Sequence, residues 1–497
     1  MAENNTSYGN IFKTTFLFGF VQVFRAIISI IKNKAAAVLI GAEGMGILGI
    51  FNTTLQMIQT GAGLGVNQSA VRDISEVNGS GDYNRFSKII SVTNKVILYT
   101  GLLGCFVTLG LSYWLSEWTF GDNAHILAYC ILAFAVALNI VNESKQAILK
   151  GMRQLRALAY ASMIGSASGL VVALPLYYFF GKEGIVPELL IAAIVAVLVS
   201  NHYVKKIKYE KVELTPSEIV QESKPMVQMG IALMAVTFLQ TIVAFIINSY
   251  IRSKGGLEDV GFYSAANTIT TGYFGVIVSA LMTDYYPRIA AVNKDNKALQ
   301  DELNKQSVVS LLLCSPMFVL FMTLLPFFIK ILYTEAFEPA ANVIKWSIYW
   351  TLITVCSNQV DMILVAKFQT KVFLTISVIF RIIQLALCVS LYGTFGLEGL
   401  GISYFILGVL HMTIMCSTVY YLYRIRFNTT FIKIALVVVC FAIAATGIQN
   451  LTAGLLHYAL SLSLLAISLV FTFVVATRYM QLDIIGFIKS RTKKNHK

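Results

Sequence analysis

TTFLFGFVQVFRAIISIIKNKAAAVLI, residues 14–40, reaches about 40 Å as a helix at 1.5 Å per residue, enough to cross the ~30 Å hydrocarbon core of a bilayer. Arg25, Lys32 and Lys34 sit inside it. A membrane helix that carries three cations needs a reason to hold them. Thirteen further apolar stretches of spanning length follow, at about 46–70, 91–115, 123–148, 157–180, 185–204, 226–251, 259–286, 306–332, 340–366, 370–393, 398–422, 431–449 and 453–477. Gly41-Ala-Glu-Gly44, Gly121-Asp122, Gly181-Lys-Glu-Gly184, Gly255-Gly256 and Gly396-Leu-Glu-Gly399 punctuate them as turns.

The whole chain agrees with this reading. Of 497 residues 57% are hydrophobic and 13% charged, where a soluble domain carries about 25% charge; mean hydropathy is +0.72. The fold class is therefore an all-α polytopic membrane protein of about 14 helices. The net charge of +13 does not indicate nucleic acid, because no basic stretch interleaves aromatic residues. It reports cytoplasmic loops. With the N-terminus inside, basic residues such as Lys145, Lys150, Arg153, Arg156, Lys205, Lys206, Lys208 and Lys211 collect on the cytoplasmic side, leaving Lys182, Arg252, Lys254 and Lys330 outside. That pattern places both termini in the cytoplasm.

The hydrophilic stretch 205–225 divides the first twelve spans into six and six. The expected organisation is an N-terminal six-helix lobe (1–204), a cytoplasmic linker (205–225), a C-terminal six-helix lobe (226–425), an extra helix pair (426–480) and a basic tail (481–497). An even number of spans per half suits two parallel halves related by an axis along the membrane normal. Internal similarity supports this. Gly46-Ile-Leu-Gly-Ile-Phe-Asn52-Thr53 and Gly261-Phe-Tyr-Ser-Ala-Ala-Asn267-Thr268 open spans two and eight with the same Gly to Asn-Thr spacing.

No Walker loop, HExxH or GxSxG elbow is present, and no outward loop is long enough for a catalytic domain. The seven cysteines lie in apolar stretches without a CxxC. Nothing implies a cofactor, a metal or an enzyme. What remains is charge within the membrane, where each ionised side chain costs ~2.5–3.5 kcal/mol unless a cavity or partner receives it.

Arg25 lies too deep to snorkel, and Lys32 falls within about 20° of it at 100° per residue, with Lys34 on the opposite face. Thr14 and Gln22 join the Arg25 stripe. Asn52, Gln56 and Gln59 share one face of span two, and Gln240, Asn248, Asn267 and Thr268 add polar groups on spans seven and eight. Asp361 and Arg381 suit either a structural ion pair or a coupling-ion site. Glu143 with Lys145, and Asp284 with Arg288, read as gate or surface pairs. Gly165-Ser-Ala-Ser-Gly169 suggests a close helix contact. The membrane cations Arg25, Lys32, Lys34, Lys345 and Arg381 outnumber the anions Glu143, Asp284 and Asp361, which favours an anionic cargo.

Lys34-Ala-Ala-Ala-Val-Leu-Ile-Gly41-Ala-Glu-Gly44-Met-Gly46, the run from Val260-Gly-Phe-Tyr263 to Tyr285-Tyr-Pro-Arg288-Ile-Ala, and Leu332-Tyr-Thr-Glu-Ala-Phe-Glu-Pro339 resemble the Wzx-type O-antigen translocases. These belong to the multidrug/oligosaccharidyl-lipid/polysaccharide exporter superfamily. The resemblance covers about residues 10–425. It implies a V-shaped cleft, alternating access, and transfer of an undecaprenyl-pyrophosphate-linked oligosaccharide across the bacterial inner membrane, with polysaccharide polymerase machinery as a possible partner. On matching positions it assigns Arg25 and Lys34 to the pyrophosphate, whereas the helical-face argument prefers Lys32. It also implies that the helix pair at 431–477 forms a groove for the lipid tail, as in similar peptidoglycan-precursor flippases. The rival reading is an ion-coupled multidrug or metabolite antiporter on the same scaffold, driven by H+ or Na+.

Overall fold

The computed structural model describes residues 2–80, 82–207, 209–451 and 454–478; the side chains of 2–18, 80, 276, 277, 280, 283 and 284 fall outside that description. Thr14, Asp284, Lys208 and the basic tail 481–497 therefore lie outside the described residues as far as contacts are concerned. The helices are α1 (Ala2–Leu39), α2 (Gly41–Ala62), α3 (Val66–Ser80), α4 (Tyr83–Phe120), α5 (Ile126–Gly151), α6 (Leu155–Phe180), α7 (Ile185–Val204), α8 (Pro216–Asn267), α9 (Phe274–Ala291), α10 (Asn296–Thr323), α11 (Leu325–Leu332), α12 (Ala340–Ala366), α13 (Thr370–Tyr423), α14 (Thr429–Leu451) and α15 (Gly454–Arg478). Among the described residues there is no strand.

Nine helical segments among the described residues are long and apolar enough to cross a membrane, and three of them, Leu155–Val204, Pro216–Tyr273 and Thr370–Tyr423, have 50, 58 and 54 residues. At 1.5 Å per residue each would exceed about 70 Å as one rod, more than twice the hydrocarbon thickness. Each is therefore two crossings. With α1 and α2, which the sequence reads as spans, the described residues give fourteen crossings, matching the apolar stretches read from the sequence. Gly396, at φ 58° and ψ −139°, supplies one of the turns. Cys388 and Ser403, fifteen residues apart, meet at 3.1 Å, so the chain folds back on itself there. Gly256, at φ 85°, breaks α8 in the same way, in backbone space that a side chain would strain.

The chain forms two compact units. One comprises the residues up to Ala265 together with Ile331–Phe337; the other comprises Ala266–Lys330 and the chain from Glu338 onward. The first holds a core in which Val66, Ala70, Ile74, Phe86, Ile90 and Leu158 are joined by Ile207, Ile219 and Met226. The hydrophilic segment 205–225 is thus strapped to this unit. Glu210 and Val212 donate backbone N–H groups to Ser87 and Ser91, both at 3.2 Å, and Lys88 pairs with Glu222 at 2.7 Å. Thr215 and Glu218 form a reciprocal capping box at the start of α8, at 2.8 and 3.4 Å, which satisfies two orphan N–H groups.

In the second unit, Tyr285, Ile289, Leu299, Leu303, Val360 and Ile363 build the core. Gln359 is fully buried, and its Nε2 donates to Ser310 at 2.7 Å. Here α14 and α15 pack on this unit. Tyr349 donates to the Ala442 carbonyl at 3.0 Å, and Thr472 to that of Leu312 at 3.2 Å.

Candidate functional site

On α1 the exposed apolar side chains Phe20, Val23, Ile27, Ile31 and Val38 fall within about 80° of arc at 100° per residue. That arc is an exposed apolar stripe. Arg25 and Gln22 are also exposed, yet they project from the opposite side, beside the buried Val21 and Ala36. Arg25 is therefore exposed on the side of α1 away from the apolar stripe. Among the described residues no partner holds its guanidinium.

Lys32 behaves differently. Its Nζ lies 2.7 Å from Glu188 Oε1, and Glu188 is fully buried; Tyr177 donates its hydroxyl to the other carboxylate oxygen at 3.1 Å. The sequence suggested an unpaired cationic stripe; the structure corrects it, since α7 supplies an anion to Lys32. Lys34 donates to the Tyr333 carbonyl. Of Arg25, Lys32 and Lys34, Arg25 alone has no partner among the described residues. Removing one partner of a buried pair strands the other, at about 3–5 kcal/mol. Glu188→Ala is therefore expected to lower the thermal unfolding midpoint in detergent sharply, while Lys32→Met combined with Glu188→Leu recovers most of it. A single variant as stable as the wild type would mean that the pair is solvated.

The polar face of α2 is as the sequence spacing required. Asn52 and Gln56 are exposed, and Gln56 and Gln59 line a cavity of about 220 Å³ together with Asn67, Gln68, Glu143 and Thr237. Glu143 accepts from Asn67 Nδ2 at 2.8 Å, whereas Lys145 donates to Asn94 at 2.9 Å. The expected Glu143–Lys145 pair gives way to these two contacts. Gln240 is exposed and Asn267 half-buried. Asn248 is 5% exposed and donates to Thr53 Oγ1 at 3.1 Å, tying α8 to α2. Its place is in packing rather than on an open surface.

The two glycines that open the internal repeat touch. A Cβ on Gly46 would stand 1.9 Å from the Leu257 carbonyl oxygen, and one on Gly261 would stand 2.0 Å from that of Ala42. The relation is reciprocal, since each oxygen belongs to the residue four before the other glycine. At the opposite end of α2 the helix stops at Ala62, turns through Gly65 at φ 63°, and brings Gly65 against the Gly230 backbone. The expected GxxxG contact fails: a Cβ on Gly165 or Gly169 would meet nothing within 4 Å.

In the second unit, Asp361 Oδ2 lies 3.6 Å from His411 Nε2, and His411 Nδ1 lies 3.2 Å from Ser357 Oγ. Arg381 donates to Gln384 at 2.7 Å. The Asp361–Arg381 pair considered from the sequence does not form: Asp361 lies beside His411 instead. Arg288 is held by Glu302 and Gln306 of α10. Lys345 is half-buried on α12. Glu188 and His411 are the functional candidates that sequence reasoning missed; Glu188 had a usable signal, an acid four residues past Gly184 in an otherwise apolar span.

Comparison with known proteins fits this arrangement. A family model described as "Polysaccharide biosynthesis protein" matches residues 82–342. The chain belongs to the polysaccharide biosynthesis protein family. A Shigella flexneri protein named "Putative O-antigen transporter" is 23% identical over 309 residues, covering 60% of this chain and 71% of that one. The fold is shared with the lipid II flippase MurJ in an inward closed conformation, at TM-score 0.66 and 13% identity over 95% of this chain and 100% of that one. It is shared equally with an inward-facing multidrug resistance MATE transporter of the MOP superfamily, at TM-score 0.66 and 15% identity over 85% of this chain and 98% of that one. The family member described here is thus a multi-pass membrane protein with a transporter fold, as its motifs implied.

Proposed function

We propose that the protein is a flippase that carries an undecaprenyl-pyrophosphate-linked oligosaccharide from the cytoplasmic to the outer leaflet by alternating access. One observation carries the reading: Arg25 is exposed on the face of α1 opposite its exposed apolar stripe, with no counter-charge among the described residues. A guanidinium there offers a planar fork of N–H donors to a phosphate. A hydrated sugar-pyrophosphate cannot cross hydrocarbon unaided, and the protein replaces its water with polar side chains. The prenyl tail stays in lipid. The name of the Shigella relative and the fold shared with a lipid flippase support this assignment. In the same reading two six-helix lobes rock about the cleft, both termini are cytoplasmic, and polysaccharide polymerase machinery receives the product.

The test is reconstitution. A fluorescent prenyl-pyrophosphate oligosaccharide in the inner leaflet of proteoliposomes should become accessible to a membrane-impermeant quencher at least about tenfold faster than in protein-free vesicles, a difference of about 1.4 kcal/mol in barrier. Equal rates would remove the assignment. The second reading, an antiporter coupled to H+ or Na+, is favoured by the Asp361–His411 pair. It predicts ion-driven efflux that Asp361→Asn abolishes and Arg25→Ala leaves intact.

A further inference from the structure

We infer that the cavity at the inner end of α2 seats the first sugar of the passenger; this rests on the flippase reading. Gln56, Gln59, Asn67 and Gln68 converge there with Glu143 and Thr237 on about 220 Å³ of space. Asn67 is engaged with Glu143 at 2.8 Å. Among the described residues the side-chain amides of Gln56, Gln59 and Gln68 have no protein partner. A primary amide offers two N–H donors and a carbonyl acceptor, and a carboxylate offers acceptors alone. Together they present both halves of the bonding that a sugar hydroxyl, donor and acceptor at once, requires.

Size and chemistry exclude the other occupants. A bare cation needs oxygen ligands within about 2.0–2.6 Å on all sides, a far smaller space. No group of three or more His, Cys, Asp or Glu able to hold a metal occurs among the described residues. An apolar drug would find no aromatic ring in the wall, and three idle amides would lose their water to it without compensation. Depth points the same way. Arg25 lies fifteen residues before the turn at Ile40, and Gln56 lies sixteen after it. On consecutive crossings both are about 22–24 Å from that turn. Gln56 is thus level with Arg25 along the crossing, and Gln59 follows on the next turn of α2.

The experiment compares binding of a short prenyl pyrophosphate, bare or carrying a single hexose, to the purified full-length protein. The wild type is expected to prefer the glycosylated probe by about tenfold or more, since a site built to bond hydroxyls rejects an analogue without them. Gln56→Leu and Gln59→Leu should each shrink that preference to about twofold. Melting midpoints check that both variants fold, and Gln68→Ala on α3 replaces either if it does not. Wild type without preference, or variants that keep it, overturns the sugar seat. Failure of the wild type to bind even the bare probe overturns the flippase reading itself, so the two failures are separable.

Discussion

Arg25→Ala is expected to slow leaflet transfer of a prenyl-pyrophosphate oligosaccharide by about 10- to 100-fold, because a hydrogen bond to a charged group contributes about 1.5–3 kcal/mol. Lys32 cannot substitute for it, since Glu188 already claims its ammonium at 2.7 Å. Lys34 is likewise engaged by the Tyr333 carbonyl. Arg25→Lys should retain more activity than Arg25→Ala yet fall short of the wild type, because a lysine supplies the charge without the planar fork. Proteoliposome transfer rates at matched protein density decide the matter. An alanine variant that transfers at the wild-type rate would take Arg25 out of the mechanism.

The second large effect concerns backbone proximity. Gly46→Ala improves helix propensity by about 1 kcal/mol, and local reasoning therefore expects a stabler α2. The contact says the opposite. The new methyl would sit 1.9 Å from the Leu257 carbonyl oxygen, and the obstacle is main chain, which cannot rotate away. Overpacking of this sort costs about 1–3 kcal/mol, so Gly46→Ala and Gly261→Ala should each depress the thermal midpoint and reduce transfer about tenfold or more. Gly110→Ala on α4, whose Cβ would meet nothing within 4 Å, serves as the control and should be neutral or slightly stabilising. If Gly46→Ala matched that control in stability and rate, the contact would be incidental to the working cycle.

The crossings were legible because each is a local property: about twenty apolar residues in a row, stopped by glycine. Gly256 and Gly396 both break long helices where the Gly-rich punctuation indicated. The glycine repeat was legible as a pattern but not as a contact, because nothing in either segment says which face meets which. The charge partners were not legible. Lys32 and Glu188 are 156 residues apart, and Asp361 meets a histidine in the span after next but not the arginine nearer in sequence. An i, i+4 rule sees neighbours on one helix and is blind to pairs made between helices. Gly165 and Gly169 show the reverse error, since spacing permitted a close approach that no helix makes.

Neutralisation of Lys32 by Glu188 has a consequence for how the cycle is driven. With that pair summing to zero, the fixed positive charges of α1 beside the passenger in the proposed reading are Arg25 and Lys34, which stay with the protein while a pyrophosphate moves. Net negative charge then travels outward. A voltage negative inside the cell favours that direction by about 2.3 kcal/mol per charge per 100 mV, or about 4.6 kcal/mol for two charges. The energised membrane would then push the cargo out directly, and collapsing it with an ionophore would stall export without any counter-transported ion being involved.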